Sequence, residues 1–165
     1  MESRAKLFGH PVHPMLVVFP LGLFITAVVF DVLYLATANR IFAEVAFWNI
    51  AAGIVGGLAA AVFGLIDFLA IPEATRARRI GLLHGVGNVA VIGLFALSLW
   101  LRWNAMEVAP PLLALAFSFL GVALGAVSGW LGGELVDRLG VGVDPGAHVD
   151  APSSLTHEKV TLTRP

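Results

Sequence analysis

A chain of 165 residues that is 58% hydrophobic and only 13% charged, with a mean hydropathy of +0.89, has too little polar surface to close around one water-soluble core. Its formal net charge of −1 provides no basic excess and excludes nucleic-acid binding. The absence of cysteine excludes disulfides, thiolate-bound zinc, cysteine-ligated iron–sulfur clusters and covalently attached c-type haem, so any metal or cofactor must use His, carboxylate or backbone groups.

Residues 1–13 read as a cytoplasmic N-terminal segment, with Arg4 and Lys6 ahead of a His10-Pro11-Val12-His13 stretch. The first apolar run extends from Pro14 to Ala38. It imitates a signal peptide, with basic residues before it and Ala36-Thr37-Ala38 near its end. At about 25 residues, however, it is too long for a signal core and it contains Asp31, so it is read as a first membrane span.

Three further runs follow, Val45 to Ile71, Ile80 to Trp103 and Pro110 to Val136, each longer than the roughly 20 residues that cross the hydrocarbon. Asn39-Arg40, Pro72-Glu73 through Arg79, and Arg102 to Glu107 connect the spans, and Pro110-Pro111 sets φ at the entry to the last. Residues 14–139 thus form a four-helix transmembrane domain. Residues 140–165 lose hydropathy, gain Gly, Pro, Ser and mixed charge, and read as a flexible cytoplasmic tail.

With four spans, both termini and the middle connection share one side of the bilayer. That side holds Arg4, Lys6, Arg76, Arg78, Arg79, Arg138, Lys159 and Arg164, against Arg40 and Arg102 on the other, and is expected to be cytoplasmic. His13 precedes Gly22-Leu23-Phe24 by the interval that separates His84 from Gly93-Leu94-Phe95. Ala61-Val62-Phe63-Gly64 resembles Ala126-Val127-Ser128-Gly129. The expected fold is all-α and integral to the membrane: a four-helix bundle of two helical hairpins in parallel repeat.

Helical spacing places His13, Val17, Pro20, Phe24, Ala27, Asp31 and Tyr34 on one face of the first helix, and Gly81, His84, Asn88, Val91, Phe95, Ser98 and Arg102 on one face of the third. Helix two offers Asn49, Gly53, Gly56, Ala60, Gly64 and Asp67, and helix four Ser118, Gly121, Gly125, Ser128 and Gly132. Small or polar faces of this kind point inward in membrane bundles.

Three readings compete for the ionisable residues of the inner half. In the structural reading, His13 caps its helix and His84 bonds Asp67 or a backbone carbonyl. In the redox reading, His13 and His84 ligate a b-type haem from opposite sides, with Phe24 and Phe95 flanking the ring and Gly81 and Gly85 giving room. In the metal reading, His10, His13, Asp67, His84 and Glu134 supply imidazole and carboxylate ligands. Asp31 and Arg102 are expected either to pair or to reach interfacial water separately, with Arg102 beside Trp100 and Trp103. The dry stripe between His13 and Asp31 argues against transport, and no catalytic constellation appears.

At His10-Pro11-Val12-His13-Pro14 through Pro20 and Asp31, the chain resembles a family of predicted bacterial membrane proteins known as domain of unknown function 2231. The resemblance continues through Gly64-Leu65-Ile66-Asp67, Leu83-His84 and Ser128-Gly129-Trp130-Leu131-Gly132-Gly133-Glu134-Leu135-Val136. It implies a small four-helix domain of the bacterial cytoplasmic membrane whose relatives often occur beside redox proteins, some followed by a Rieske-type domain. A histidine that many relatives carry after the final Glu-Leu-Val is replaced here by Asp137-Arg138-Leu139. The expected role is a lipid-embedded subunit of a redox, photosynthetic or respiratory complex, with haem b as a candidate cofactor. A cofactor-free scaffold and a metal-binding or transport protein are the alternatives.

Overall fold

The computed structural model describes residues 1–103, 105 and 109–156; Lys159, Arg164 and the Glu107 end of the third connection lie outside the described residues. Four helices dominate: α1 (Val12–Thr37), α2 (Arg40–Ala70), α3 (Arg76–Trp103) and α4 (Leu112–Gly133). All four are long and apolar enough to cross a membrane. At 1.5 Å per residue, even α4 covers about 33 Å.

Helices α2 and α3 begin ahead of their apolar runs because polar side chains cap their first turns. Asn39 Oδ1 accepts from Ile41 N at 3.1 Å, which starts α2 at Arg40, before the apolar run at Val45. Thr75 Oγ1 likewise accepts from Arg78 N and fixes the start of α3. Beyond Gly132-Gly133 the last helix widens into a π-helical turn, Glu134–Arg138.

α1 packs chiefly on α2 and α3 on α4, while α2–α3 and α1–α4 contacts close the ring. α1 and α3 are therefore diagonal neighbours. The predicted inward stripes are the buried ones: Pro20, Phe24, Ala27 and Asp31 on α1, and Gly81, Val91, Phe95, Ser98 and Arg102 on α3.

Both hairpins place a ring of one helix against a glycine of the next. Phe24 lies over Gly53 and Phe95 over Gly121, where an added Cβ would stand 2.6 and 2.7 Å from the ring. His13 lies over Gly64 and His84 over Gly132 in the same way. The repeat is therefore real in three dimensions, but for α2 and α4 its register differs by three residues from the one suggested by Ala61–Gly64 and Ala126–Gly129. Gly53, Ala60 and Gly64 correspond to Gly121, Ser128 and Gly132, because the ring-on-glycine contacts, and not local identity, fix the alignment.

The N-terminal segment is fastened to the end of the bundle that carries both termini, the inner end in the orientation expected from the basic residues. Its strands β1 (Lys6–Leu7) and β2 (His10–Pro11) pair antiparallel around Phe8-Gly9, both at positive φ as a tight two-residue turn requires. Asp67 accepts from Ser3 Oγ and from the backbone N–H groups of Arg4 and Ala5. The terminal amine donates to Gly140 O at 2.7 Å, and Gly142 N returns a bond to Met1 O. Farther along, Ser154 Oγ donates to Phe8 O at 3.1 Å.

Candidate functional site

Three cross-bundle contacts line the α1–α3 diagonal. At the inner end the His13 and His84 rings meet with centroids 6.3 Å apart and planes nearly perpendicular. Midway, Phe24 and Phe95 stack with centroids at 3.9 Å and planes within 4°. At the outer end Arg102 donates two parallel bonds of 2.7 Å to the Asp31 carboxylate.

Each imidazole is anchored on its own hairpin. His13 Nδ1 lies 2.8 Å from Ala60 O and His84 Nδ1 2.8 Å from Ser128 O. A carbonyl can only accept, so both rings carry their proton on Nδ1. For His84 the circuit then closes: Nε2 accepts from the Asn88 amide at 3.0 Å, and Asn88 Oδ1 accepts from Ser128 Oγ at 2.9 Å. Of the two partners expected for His84, Asp67 or a backbone carbonyl, the structure shows the carbonyl, that of Ser128, while Asp67 is taken up by the N-terminal segment.

The outer ion pair is shut off from the surface, with Asp31 0% and Arg102 2% exposed, and the Ser98 and Ser118 side chains beside it are equally buried. Arg102 does not snorkel beside the exposed Trp100 and Trp103. Its Nε donates to Ser98 Oγ at 3.1 Å and its Nη2 to Ser118 Oγ at 3.2 Å, and Ser98 Oγ donates onward to Ala114 O. A guanidinium has five donors and a single carboxylate satisfies only some of them, so the serines take others. Of the two outcomes expected for Asp31 and Arg102, the structure adopts the pair, inside the bundle and not at its rim.

The fit of a b-type haem between His13 and His84 can be tested on these residues. Axial ligation needs both Nε2 atoms, yet that of His84 is engaged by Asn88. The two phenylalanines expected to flank a porphyrin stack on each other. Gly85 faces outward with nothing within 4 Å, and the space beside Gly81 is filled by Phe68 and Ile71. The residues as placed do not fit the group.

Nor are the other expected metal ligands brought together. His10 meets Ser154, Asp67 holds the N-terminal backbone, and Glu134 pairs with Arg76 across the start of α3. Among the described residues no three His, Asp or Glu side chains converge on a metal-sized site.

A family model described as a predicted membrane protein, domain of unknown function 2231 (DUF2231), matches residues 9–145. The chain belongs to that family. No curated protein and no solved structure matches it. The DUF2231 match spans every element of the diagonal seam, from His13 to the π-helical turn.

Sequence reasoning put Ser98, Ser118, Asn88 and Ser128 on inward faces but assigned them no partner. The signal was available for Arg102: a membrane-depth guanidinium whose own helix carries Ser98 one turn before it calls for oxygen acceptors. Nothing comparable pointed to Ser3 as the donor to Asp67.

Proposed function

We propose that the protein is a cofactor-free transmembrane scaffold, a non-catalytic subunit that stands in the bacterial cytoplasmic membrane with both termini in the cytoplasm and docks a larger membrane complex. One observation carries the reading. Among the described residues, no buried side-chain nitrogen or oxygen lacks a hydrogen-bond partner. Sites built to receive a ligand leave polar groups aimed at it, whereas this interior is complete in itself.

The orientation rests on the basic residues Arg4, Lys6, Arg76, Arg78, Arg79 and Arg138 at the inner end. Burial of Arg102 in its ion pair leaves Arg40 as the counterweight among the described residues of the outer end and strengthens the asymmetry. The Phe24–Phe95 stack plugs the bundle axis, which speaks against a transport path.

A second reading keeps one observation in its favour. Both imidazoles have Nδ1 fixed on a backbone carbonyl, the arrangement that orients histidines toward iron. It makes the protein a haem-bearing electron-transfer subunit for a Rieske-type or similar redox partner, and it requires Asn88 to leave His84.

Purification in mild detergent from native membranes separates the two. The scaffold reading predicts a stoichiometric co-purifying membrane partner and reduced-minus-oxidised spectra without haem bands attributable to this chain. Haem bands that vanish in both His13→Ala and His84→Ala would replace it with the second reading, and a homogeneous preparation with neither partner nor haem would end both.

A further inference from the structure

The three contacts of the diagonal seam share a property that ordinary core contacts lack. His13 meets His84, Phe24 meets Phe95 and Asp31 meets Arg102, and in every case the partners stand 71 residues apart. Each residue meets its own repeat equivalent. This is the signature of an isologous interface, in which equivalent positions face each other across a two-fold axis. The two hairpins are joined as two copies of one hairpin would be.

In such an interface, identical residues face each other when like pairs with like. A second α1–α2 hairpin in place of α3–α4 would keep the imidazole pair and the phenylalanine stack. It would also set Asp31 against Asp31, and two α3–α4 hairpins would set Arg102 against Arg102. Like charges in low-dielectric surroundings cannot both stay ionised without large cost. The opposite charges are what make the seam hetero-complementary.

We infer that the Asp31–Arg102 pair is the partner-selecting element of this seam: an α1–α2 hairpin accepts an α3–α4 hairpin, from its own chain or from a second copy of it, and rejects another α1–α2. The serines belong to the same code. Ser98 and Ser118 accept from the guanidinium, while the equivalent positions on the carboxylate side are Ala27 and Ile50, which offer nothing to hydrogen-bond. Polar residues of one sign and one side specify partner and register, a role for which buried polar groups are attested in helical assemblies.

The test uses full-length chains. Asp31→Arg and Arg102→Asp alone each create a like-charged seam and lower the folded, extractable fraction on the order of a hundredfold or more. Combining them in one chain restores much of it. Adding Ala27→Ser, Ile50→Ser, Ser98→Ala and Ser118→Ile, which moves the acceptors to the arginine's new side, restores more. Co-expression of the two single variants with different tags recovers folded protein as a hetero-dimer with exchanged hairpins, because both seams then match.

The inference is overturned if either single variant folds as well as the wild type. It is equally overturned if the six-residue exchange folds no better than Asp31→Arg alone, since a code that travels with its residues must survive being transposed. The scaffold reading concerns ligands and partners, so its failure leaves these outcomes unchanged.

Discussion

The two hairpins share their ring-on-glycine packing and differ in chemistry. At four equivalent inward positions the first carries Val17, Ala27, Ile50 and Ala60, and the second Asn88, Ser98, Ser118 and Ser128. The ring-on-glycine contacts are common to both, so steric fit at Gly53, Gly64, Gly121 and Gly132 defines the fold. The polar set is superimposed on one half only. It lies where buried polar groups need partners: acceptors beside the guanidinium of Arg102, and a donor to Nε2 of His84. The carboxylate of Asp31 is satisfied by two short bonds from Arg102, and its own hairpin can remain apolar.

Breaking the charge match should have the largest effect. Asp31→Ala leaves a guanidinium buried without its counter-charge and is expected to destabilise the bundle by about 3–5 kcal/mol, read as a fall in thermal unfolding temperature in detergent. Next come the sockets. Alanine in place of a mid-helix glycine ordinarily gains up to about 1 kcal/mol, but Gly53→Ala and Gly121→Ala each drive a methyl into a phenylalanine ring and should cost about 1–3 kcal/mol. Similar losses at the two sites are the mark of the two-fold seam. A loss at one alone would break it.

Smaller effects are expected where the halves differ. Ser128→Ala removes the donor to Asn88 Oδ1 and should cost about 1 kcal/mol, and Ala60→Ser at the equivalent buried place in the first hairpin, where Val17 stands in place of Asn88, should also cost about 1 kcal/mol by the same assay instead of gaining a bond. The smallest change in global stability is expected at the inner cap. Asp67→Asn weakens the hold on Ser3, Arg4 and Ala5, so limited proteolysis should cut residues 1–11 faster while the unfolding temperature of the bundle barely moves.

Much of this architecture was legible in the sequence, for reasons that differ by element. The spans follow from apolar length, and the buried stripes of α1 and α3 from helical spacing around Pro20, Phe24, Val91 and Phe95. Helix two is less legible: its inward face runs through Ala46, Ile50, Gly53, Gly57 and Ala60, with Gly56 and Gly64 only half-buried, while Asn49 turns to its own helix and donates to Val45 O. A small-residue helix has little hydrophobic contrast between its faces, and sequence gives no way to choose among them.

Pairing was the harder problem. Asp31 and Arg102 were recognisable as misfits at membrane depth, and their shared offset in the repeat was visible. Their meeting depended on helix order, which spacing does not encode. Asp67 illustrates the converse. As an acidic residue near two histidines it resembles a ligand, but a carboxylate at the end of the bundle is satisfied as well by a hydroxyl and backbone N–H groups, and a segment 62 to 64 residues upstream supplies them.

The His84 ring is fully engaged by Ser128 and Asn88 and has no nitrogen left for a ligand. Solid-state nitrogen-15 NMR of histidine-labelled protein in lipid bilayers, assigned with His84→Ala, tests it most directly. The expected result is a diamagnetic neutral His84 with its proton on Nδ1, and a change in that signal when Asn88 is replaced by Ala. A paramagnetically shifted or metal-bound His84, or one protonated on Nε2, would contradict it.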